Sequence, residues 1–248
     1  MRAERQAARR AAEATRRKRR ITIIASTVAV LIVAGVVTVI SLRSRGGSPT
    51  AASPTPTPSA SGPCAYKAVG AASRPVKPPP AVPAASGPVT ATMTTDQGVV
   101  AWTLATEKAP CASGSFVSLA AQKFFDGTPC HRLTTEGIFV LQCGDPTGTG
   151  SGGPGYQYAE ENLTGATYPR GTIAMAKSSA AGSTGSQFFL VYKDSSLPPQ
   201  YTPVGTITAG LDVLDKVAAG GATPADATTG NTAPNIKVNI ATLATAPA

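Results

Sequence analysis

Two separate blocks of this chain carry the side chains that could do chemistry. The first contains Arg132 and Gln142 around a short apolar run, and the second is the Gly-Ser-Gln-Phe-Phe block at 185–189. An arginine keeps its charge and presents a rigid fork of N–H donors, so Arg132 is suited to a hydrogen-bonding role. His131 is the single histidine, which leaves almost no room for a Ser-His-Asp or Cys-His set. No acid/base pair, activated nucleophile or metal cluster therefore accompanies the two blocks.

Two motifs in this region could indicate a cofactor or a metal, and neither has the right context. The glycines of 148–153 satisfy the dinucleotide pattern G-x-G-x-x-G, but no βαβ unit surrounds them. Cys130, His131 and Cys143 lack the spacing of a structural zinc site. We therefore expect no cofactor and no metal, and interpret the glycines as a loop beside the site.

The formal net charge of +9 is distributed unevenly along the 248 residues. Residues 1–88 hold 14 lysines and arginines against 2 acidic residues, whereas residues 89–248 hold 8 against 11. A basic chain could bind nucleic acid, but here the basic residues are concentrated in the N-terminal arm. We therefore expect no nucleic-acid partner, and interpret 1–20 as a basic cytoplasmic tail that contacts anionic lipid.

An uncharged run follows this tail, from Ile21 to Leu42. As a helix it would be about 33 Å long, which is enough to cross the hydrocarbon core of a bilayer. A cleavable signal has a shorter apolar region, so an uncleaved transmembrane helix at 21–42 is favoured over a secretory signal. The excess of basic residues before the run orients the N-terminus to the cytoplasm. The sequence thus predicts a single-pass cell-membrane protein whose C-terminal domain is extracytoplasmic.

Residues 43–88 form a segment rich in proline, serine and alanine. Residues 46–88 alone hold 11 of the 22 prolines. Such a segment buries too little apolar surface to fold, so it is predicted to be a disordered, semi-extended linker. Residues 89–245 then remain as one globular domain, which is long enough for a single core. The protein is expected to be monomeric.

Short apolar runs and turn residues alternate through this domain, which predicts a mainly β structure. Runs at 89–93 and 99–104 flank turn residues at 96–98 and indicate a hairpin. Helical spacing follows Pro110, and a second short helix fits 211–219. Many short strands with two helices favour a closed, mostly antiparallel barrel with a helix over each end, and the pattern alone leaves the topology open.

The two blocks resemble the active-site sequence of cyclophilins, the peptidyl-prolyl cis/trans isomerases. The match depends on Phe-Val-Leu-Gln-Cys-Gly-Asp at 139–145 in combination with 185–189, and 130–156 further resembles the membrane-anchored cyclophilins of actinobacteria. The resemblance implies a closed barrel of eight antiparallel strands capped by two helices. It also implies isomerase activity on proline-containing polypeptides, which for this chain would assist the folding of exported or cell-envelope proteins.

The resemblance assigns roles to particular residues. Arg132 takes the position of the catalytic donor to the prolyl nitrogen, and Phe139 and Gln142 complete the predicted catalytic group. Phe139 also aligns with a pocket-lining position of the family. The predicted substrate-binding residues supply pocket walls, polar anchors and a strand-end backbone, and they are Val140, Ala176, Lys177, Gln187, Phe189, Leu197 and Tyr201. Several of these differ from the family's usual residues. This leaves open a rival function, in which the fold binds proline peptides with little or no catalysis.

Four cysteines follow the predicted membrane span, namely Cys64, Cys111, Cys130 and Cys143. Four cysteines beyond a membrane fit two disulfides in an oxidising compartment, and three pairings are possible. Strand parity places Cys130 on the face of Arg132, and it places Cys143 on the face opposite Gln142. Since both polar residues should face substrate, a Cys130–Cys143 bond is disfavoured. The favoured pairing is Cys111–Cys130 with Cys64–Cys143.

Overall fold

The computed structural model describes residues 64–83, 87–224 and 232–248. Within these residues there are two helices, α1 (Pro110–Ala121) and α2 (Leu211–Ala219). The strands are mostly short, and their bounds are β1 (Lys67–Ala68), β2 (Val89–Thr95), β3 (Gly98–Leu104), β4 (Thr128–Pro129), β5 (Arg132–Leu133), β6 (Val140–Cys143), β7 (Tyr156–Gln157), β8 (Thr172–Met175), β9 (Phe188–Val191), β10 (Pro203–Ala209) and β11 (Asn239–Pro247). The predicted mainly β structure with two helices is confirmed for this part of the chain.

Nine of the described strands form one antiparallel sheet, in the order β4-β11-β2-β3-β10-β8-β9-β6-β5. The order is open, since the two edge strands, β4 and β5, are not paired with each other. Only residues 130–131 separate these edges in the chain, so the sheet has to curl strongly to bring them together. The prediction of a closed eight-stranded barrel is therefore wrong, because the corner at 130–131 interrupts the ladder where the barrel would close.

The hairpin of β2 and β3 shows how the sheet acquires its buried face. Side chains alternate between buried and more exposed positions along both strands, as the two-residue period of a strand requires. The register pairs Thr95 with Gly98 at the turn, and the φ of 142° at Gly98 favours glycine there. The predicted hairpin is confirmed, and inward side chains such as Trp102 enter the core.

Helix α1 packs against this core and is held at its N-terminus by a distant carboxylate. Phe116 lies edge-on to Trp102, with ring centroids 5.6 Å apart. The residue at the N-cap makes no side-chain hydrogen bond. Instead, the N–H groups of Cys111 and Ala112 donate to Glu161 at 3.1 and 2.7 Å, which satisfies two of the unpaired donors of the first turn. Glu161 thereby ties the segment after β7 to the helix.

Residues 64–83, which we call the strap, are ordered and docked on the domain. In the strap β1 pairs antiparallel with β7, and Tyr66 lies edge-on to Tyr156, with ring centroids 5.4 Å apart. The N–H of Ser73 donates to the carbonyl of a loop glycine at 2.8 Å. The prediction of a disordered linker over 43–88 is therefore wrong for the strap. Backbone pairing and aromatic contacts compensate for the small apolar content of the segment.

The four cysteines form two disulfides, as predicted, but the favoured pairing is wrong. Cys64 is bonded to Cys111, and Cys130 is bonded to Cys143. The parity argument fails because it applies within one continuous strand, whereas Cys130 lies in the corner between β4 and β5. The side chain of Cys130 is buried, and its direction does not have to match that of Arg132.

The predicted basic tail, the predicted transmembrane helix and the first part of the predicted linker lie outside the described residues. Among the residues that the structure describes, no helix combines the length and the apolar character needed to cross a membrane. The membrane anchor at 21–42 therefore stays a prediction.

Candidate active site

Antiparallel pairing brings the two chemical blocks of the sequence together. In the register of β5, β6 and β9, Arg132 lies opposite Gln142, and Gln142 lies opposite Phe189. Side chains at paired positions of neighbouring strands project from the same face of a sheet. The guanidinium, the amide and the aromatic ring therefore form one row, although Phe189 is distant from the other two in the sequence.

A cavity of about 340 Å³ lies beside this row, and we call it the Arg132 pocket. Its floor is apolar and closed to solvent, since Val140 and Phe189 are only 2% and 5% exposed. Most of the predicted site residues line the pocket, and they are Arg132, Val140, Gln142, Ala176, Lys177, Phe189, Leu197 and Tyr201. The structure thus gathers these side chains in one place, while their individual roles stay predictions.

The rim of the pocket is fixed by a tyrosine that lies underneath it. The hydroxyl of Tyr168 donates to the carbonyl of Tyr201 at 2.8 Å and accepts from the N–H of Tyr201 at 3.0 Å. The Tyr201 ring then stands edge-on to Phe189, with centroids 5.6 Å apart. Lys177, which also lines the pocket, donates from Nζ to the carbonyls of two residues of its own loop. These hydrogen bonds fix the position of the Lys177 ammonium group against its own loop.

Phe139 is not among the residues that line the Arg132 pocket. The alternation of β6, continued back by two residues, directs Ile138 and Val140 to the cavity and Phe139 to the other face. There its ring lies edge-on to Tyr192, with centroids 6.0 Å apart, and Lys193 Nζ is 4.5 Å from the ring centroid. The predicted pocket contact of Phe139 is therefore replaced by Ile138. The shared parity of Ile138 and Val140 was a signal in the sequence that could have identified it.

A chain of hydrogen bonds runs from the guanidinium to the glycine-rich loop. Arg132 Nη1 donates to Gln142 Oε1 at 3.2 Å, and Gln142 Nε2 donates to Gln187 Oε1 at 2.8 Å. Gln187 Nε2 donates in turn to the carbonyls of Gly150 and Gly152 at 2.9 and 3.0 Å. Gln187 does not line the Arg132 pocket, so it contributes to this pocket by positioning Gln142 and the loop.

Asp145 holds the same loop from its other end. Its carboxylate is fully buried and accepts hydrogen bonds from the N–H groups of Thr147 and Gly150, both at 2.7 Å. Burial alone would raise the pKa of Asp145, but hydrogen bonds from Gly152, Thr147 and Gly150 bring the pKa below its ordinary value. An ionised carboxylate and Gln187 therefore both anchor the loop by hydrogen bonds to its backbone.

His131 is packed behind the site and is 5% exposed. Neither of its ring nitrogens has a hydrogen-bond partner in the described part of the chain. Burial lowers the pKa of His131 below its usual value, and the charge of Asp145 offsets only part of this effect. The imidazole is therefore neutral at pH 7. In the described ranges no three His, Cys, Asp or Glu side chains are grouped so as to hold a metal ion.

Comparison with known proteins identifies the family to which this arrangement belongs. The family described as cyclophilin type peptidyl-prolyl cis-trans isomerase/CLD matches residues 90–244. Since this match covers more than half of the chain, the protein is a member of the cyclophilin family.

Individual relatives agree with this assignment. The probable peptidyl-prolyl cis-trans isomerase B of Mycobacterium tuberculosis is 51% identical over 154 residues, covering 56% of this chain and 50% of that protein. The protein of the same name from Mycobacterium leprae is 51% identical over 166 residues, covering 60% and 56%. A peptidyl-prolyl cis-trans isomerase of Helicobacter pylori is 40% identical over 134 residues, covering 52% and 80%. The chain spans about half the length of the two mycobacterial relatives.

A solved structure shows the same fold. The crystal structure of a cyclophilin type peptidyl-prolyl cis-trans isomerase from Cryptosporidium parvum, in the presence of the dipeptide Ala-Pro, matches with a TM-score of 0.54 and 28% identity. The match covers 64% of this chain and 99% of that one. The curled sheet with its two helices is therefore a cyclophilin fold.

Proposed function

We propose that this chain is a peptidyl-prolyl cis/trans isomerase that binds proline-containing polypeptides in the Arg132 pocket. The observation that carries the proposal is the row of Arg132, Gln142 and Phe189 beside an apolar cavity of about 340 Å³. An X-Pro bond rotates slowly because its nitrogen shares a lone pair with the carbonyl, which gives a barrier of about 18–20 kcal/mol. A catalyst of this rotation needs an apolar site for the ring and a donor for the nitrogen.

In this proposal the proline ring packs against Val140 and Phe189, and the guanidinium of Arg132 donates to the prolyl nitrogen. The nitrogen regains its lone pair as the amide twists, so it becomes a better acceptor in the transition state than in either planar form. An interaction that strengthens only in the transition state accelerates the reaction. Gln142 accepts a hydrogen bond from Arg132 and so orients the fork before substrate arrives, which is the preorganisation that makes such a donor effective.

The direct test measures the cis/trans exchange of a short X-Pro peptide in the presence of the full chain. We expect the chain to accelerate exchange without added metal or nucleotide, and NMR exchange spectroscopy or a protease-coupled assay would measure this. Exchange no faster than in buffer, together with measurable binding of the peptide, would support the rival function of a proline-peptide binding module.

We further propose that the domain assists the folding of exported or cell-envelope polypeptides, anchored by residues 21–42 with the strap and domain outside the cytoplasm. Two features support this setting. Basic residues are concentrated before the apolar run, and two disulfides, which persist in oxidising compartments, stabilise the described part of the chain. Protease added to intact spheroplasts should cut between residues 43 and 63 and release the domain. A domain protected from that protease, or a native protein with free thiols, would contradict the proposal.

A further inference from the structure

The strap lies outside residues 90–244, the part of the chain that matches the family, and yet it forms one wall of a second cavity. This cavity, which we call the strap cleft, has a volume of about 660 Å³. Strap residues 69–71 line it on one side, and the loop 150–157 lines it on another. The strap cleft adjoins the Arg132 pocket, because both are lined by Gln142 and Ala176.

The strap is attached firmly enough to act as a wall. The Cys64–Cys111 disulfide holds its first residue to helix α1. Beyond β1, the N–H of Val69 donates to the carbonyl of Gly155 at 3.0 Å, and Arg74 Nη1 donates to the carbonyl of Asp126 at 2.5 Å. The strap is therefore bound to the domain on both sides of 69–71.

The contact between the strap and the loop depends on a glycine. A side chain at Gly155 would place its first carbon 2.8 Å from the backbone nitrogen of Ala72 and 3.0 Å from the carbonyl oxygen of Gly70. A distance of 2.8 Å is shorter than real side-chain carbons show, so the backbone at Ala72 would have to shift. The strap thus lies against the bare backbone of the loop, and the position of Ala71 at the edge of the cleft follows from that contact.

We infer that the strap is a specificity element, which limits the size of the substrate side chain that lies next to proline. The inference depends on the proposed function, since it takes the Arg132 pocket as the proline site. An extended polypeptide advances at most about 3.3–3.6 Å per residue, so a neighbour of the bound proline has to enter an adjoining cavity. In the strap cleft that side chain lies against Ala71. The strap therefore excludes a substrate residue that is too bulky for the space beside Ala71.

The test compares the affinity of the full chain for peptides with an Ala-Ala-Pro-Ala-Ala core and for versions carrying one tryptophan, placed on either side of proline. Calorimetry gives Kd without depending on catalysis. Ala71→Trp should weaken the binding of one of the two tryptophan peptides, either the one with tryptophan before proline or the one with tryptophan after it. We expect this loss to be about tenfold relative to the all-alanine peptide. Val82→Trp is the matched control, because Val82 is an exposed strap residue, 73% accessible, that does not line the cleft. Equal changes for all peptides, or no change, would overturn the inference.

A second pair of variants tests what happens when the strap is displaced from the loop. Gly155→Ala should displace the strap and improve the relative affinity for the same tryptophan peptide. Gly165→Ala is the control, because Gly165 also has a positive φ, 66° against 78° at Gly155, but has open space around it. Both variants share the backbone strain, and only the first is expected to change the affinity ratio. The inference is wrong if both variants have the same ratio of affinities for the tryptophan peptide and the all-alanine peptide.

Exchange rates measured on the same samples separate the inference from the function on which it depends. A wild-type chain that binds the peptides without accelerating exchange would overturn the proposed isomerase function, while the affinity ratios would still decide the role of the strap. A wild-type chain that binds none of the peptides would overturn both.

Discussion

The Arg132 pocket and the strap cleft adjoin one another, but they are built from different parts of the chain. The pocket is lined by side chains of the paired strands β5, β6 and β9 and of the loops beside them, with an apolar buried floor. The cleft consists largely of a glycine-rich loop and of a strap that precedes the domain. A proline ring is held by apolar surface, which side chains supply, whereas a neighbouring peptide segment can be held or excluded by backbone position. Residue type therefore determines the first site, and chain geometry determines the second.

The largest expected effect comes from removing the donor of the pocket. Arg132→Ala should lower kcat/KM for X-Pro peptides by about 10²-fold, as for the loss of one preorganised donor. The Tm should change little, because Arg132 is only partly buried. Arg170→Ala is the control, since it removes an arginine that pairs with Asp215 and does not line the pocket. Equal kcat/KM values for the two variants would show that the pocket is not organised around Arg132.

A smaller effect is expected from breaking the link between the pocket and the cleft. Gln187→Ala removes the bonds to Gln142 and to the loop carbonyls, each worth roughly 1 kcal/mol. We expect kcat to fall about tenfold with faster amide hydrogen exchange in the loop 145–153. Gln97→Ala, which removes a surface amide, should leave both unchanged. A lower Tm with unchanged kcat would mean that Gln187 is only structural.

Two neighbouring substitutions test which face of the chain lines the pocket. Ile138→Ala should raise KM about fivefold with little change in Tm, because it removes apolar surface from the cavity wall. Phe139→Ala should leave KM nearly unchanged. It should lower the free energy of unfolding by about 2 kcal/mol, since the half-buried ring loses its contact with Tyr192. Steady-state kinetics measure KM, and thermal melts measure stability. An equal rise of KM in the two variants would show that Phe139 also lines the pocket.

The smallest expected effect concerns stability in acid. The pKa of Asp145 in the folded protein lies below its ordinary value of 3.8. Ionised Asp145 therefore contributes stability that is complete above the unfolded-state pKa and is lost as the pH falls through the folded-state pKa. The free energy of unfolding should fall below about pH 4 in the wild type. Asp145→Asn should be less stable at pH 7 and should show a shallower fall. Parallel pH profiles for the two proteins would contradict this role.

The errors made from the sequence occur where chain segments leave regular strands. The pairing of Cys130 was predicted by strand parity, but Cys130 lies at a corner to which parity does not apply. The favoured disulfide of Cys64 already tied the linker to the domain, although to the wrong cysteine. The docking of the rest of the strap was missed because its composition is typical of disordered segments, and its contacts come from residues far along the chain. Phe139 was assigned to the pocket by resemblance, whereas the alternation around Val140 favours Ile138.

The sequence by itself determined the mainly β character of the domain, the hairpin of β2 and β3, and most of the side chains that line the Arg132 pocket. The β character and the hairpin follow from alternation and turn residues, which are properties of neighbours along the chain, whereas the pocket residues followed from the resemblance of two sequence blocks to cyclophilins. Only the tertiary structure decided where the curled sheet stays open, which cysteines pair and where the strap lies. Each of these depends on contacts between segments that are distant in sequence, and the free energy of such contacts leaves no trace in a local pattern.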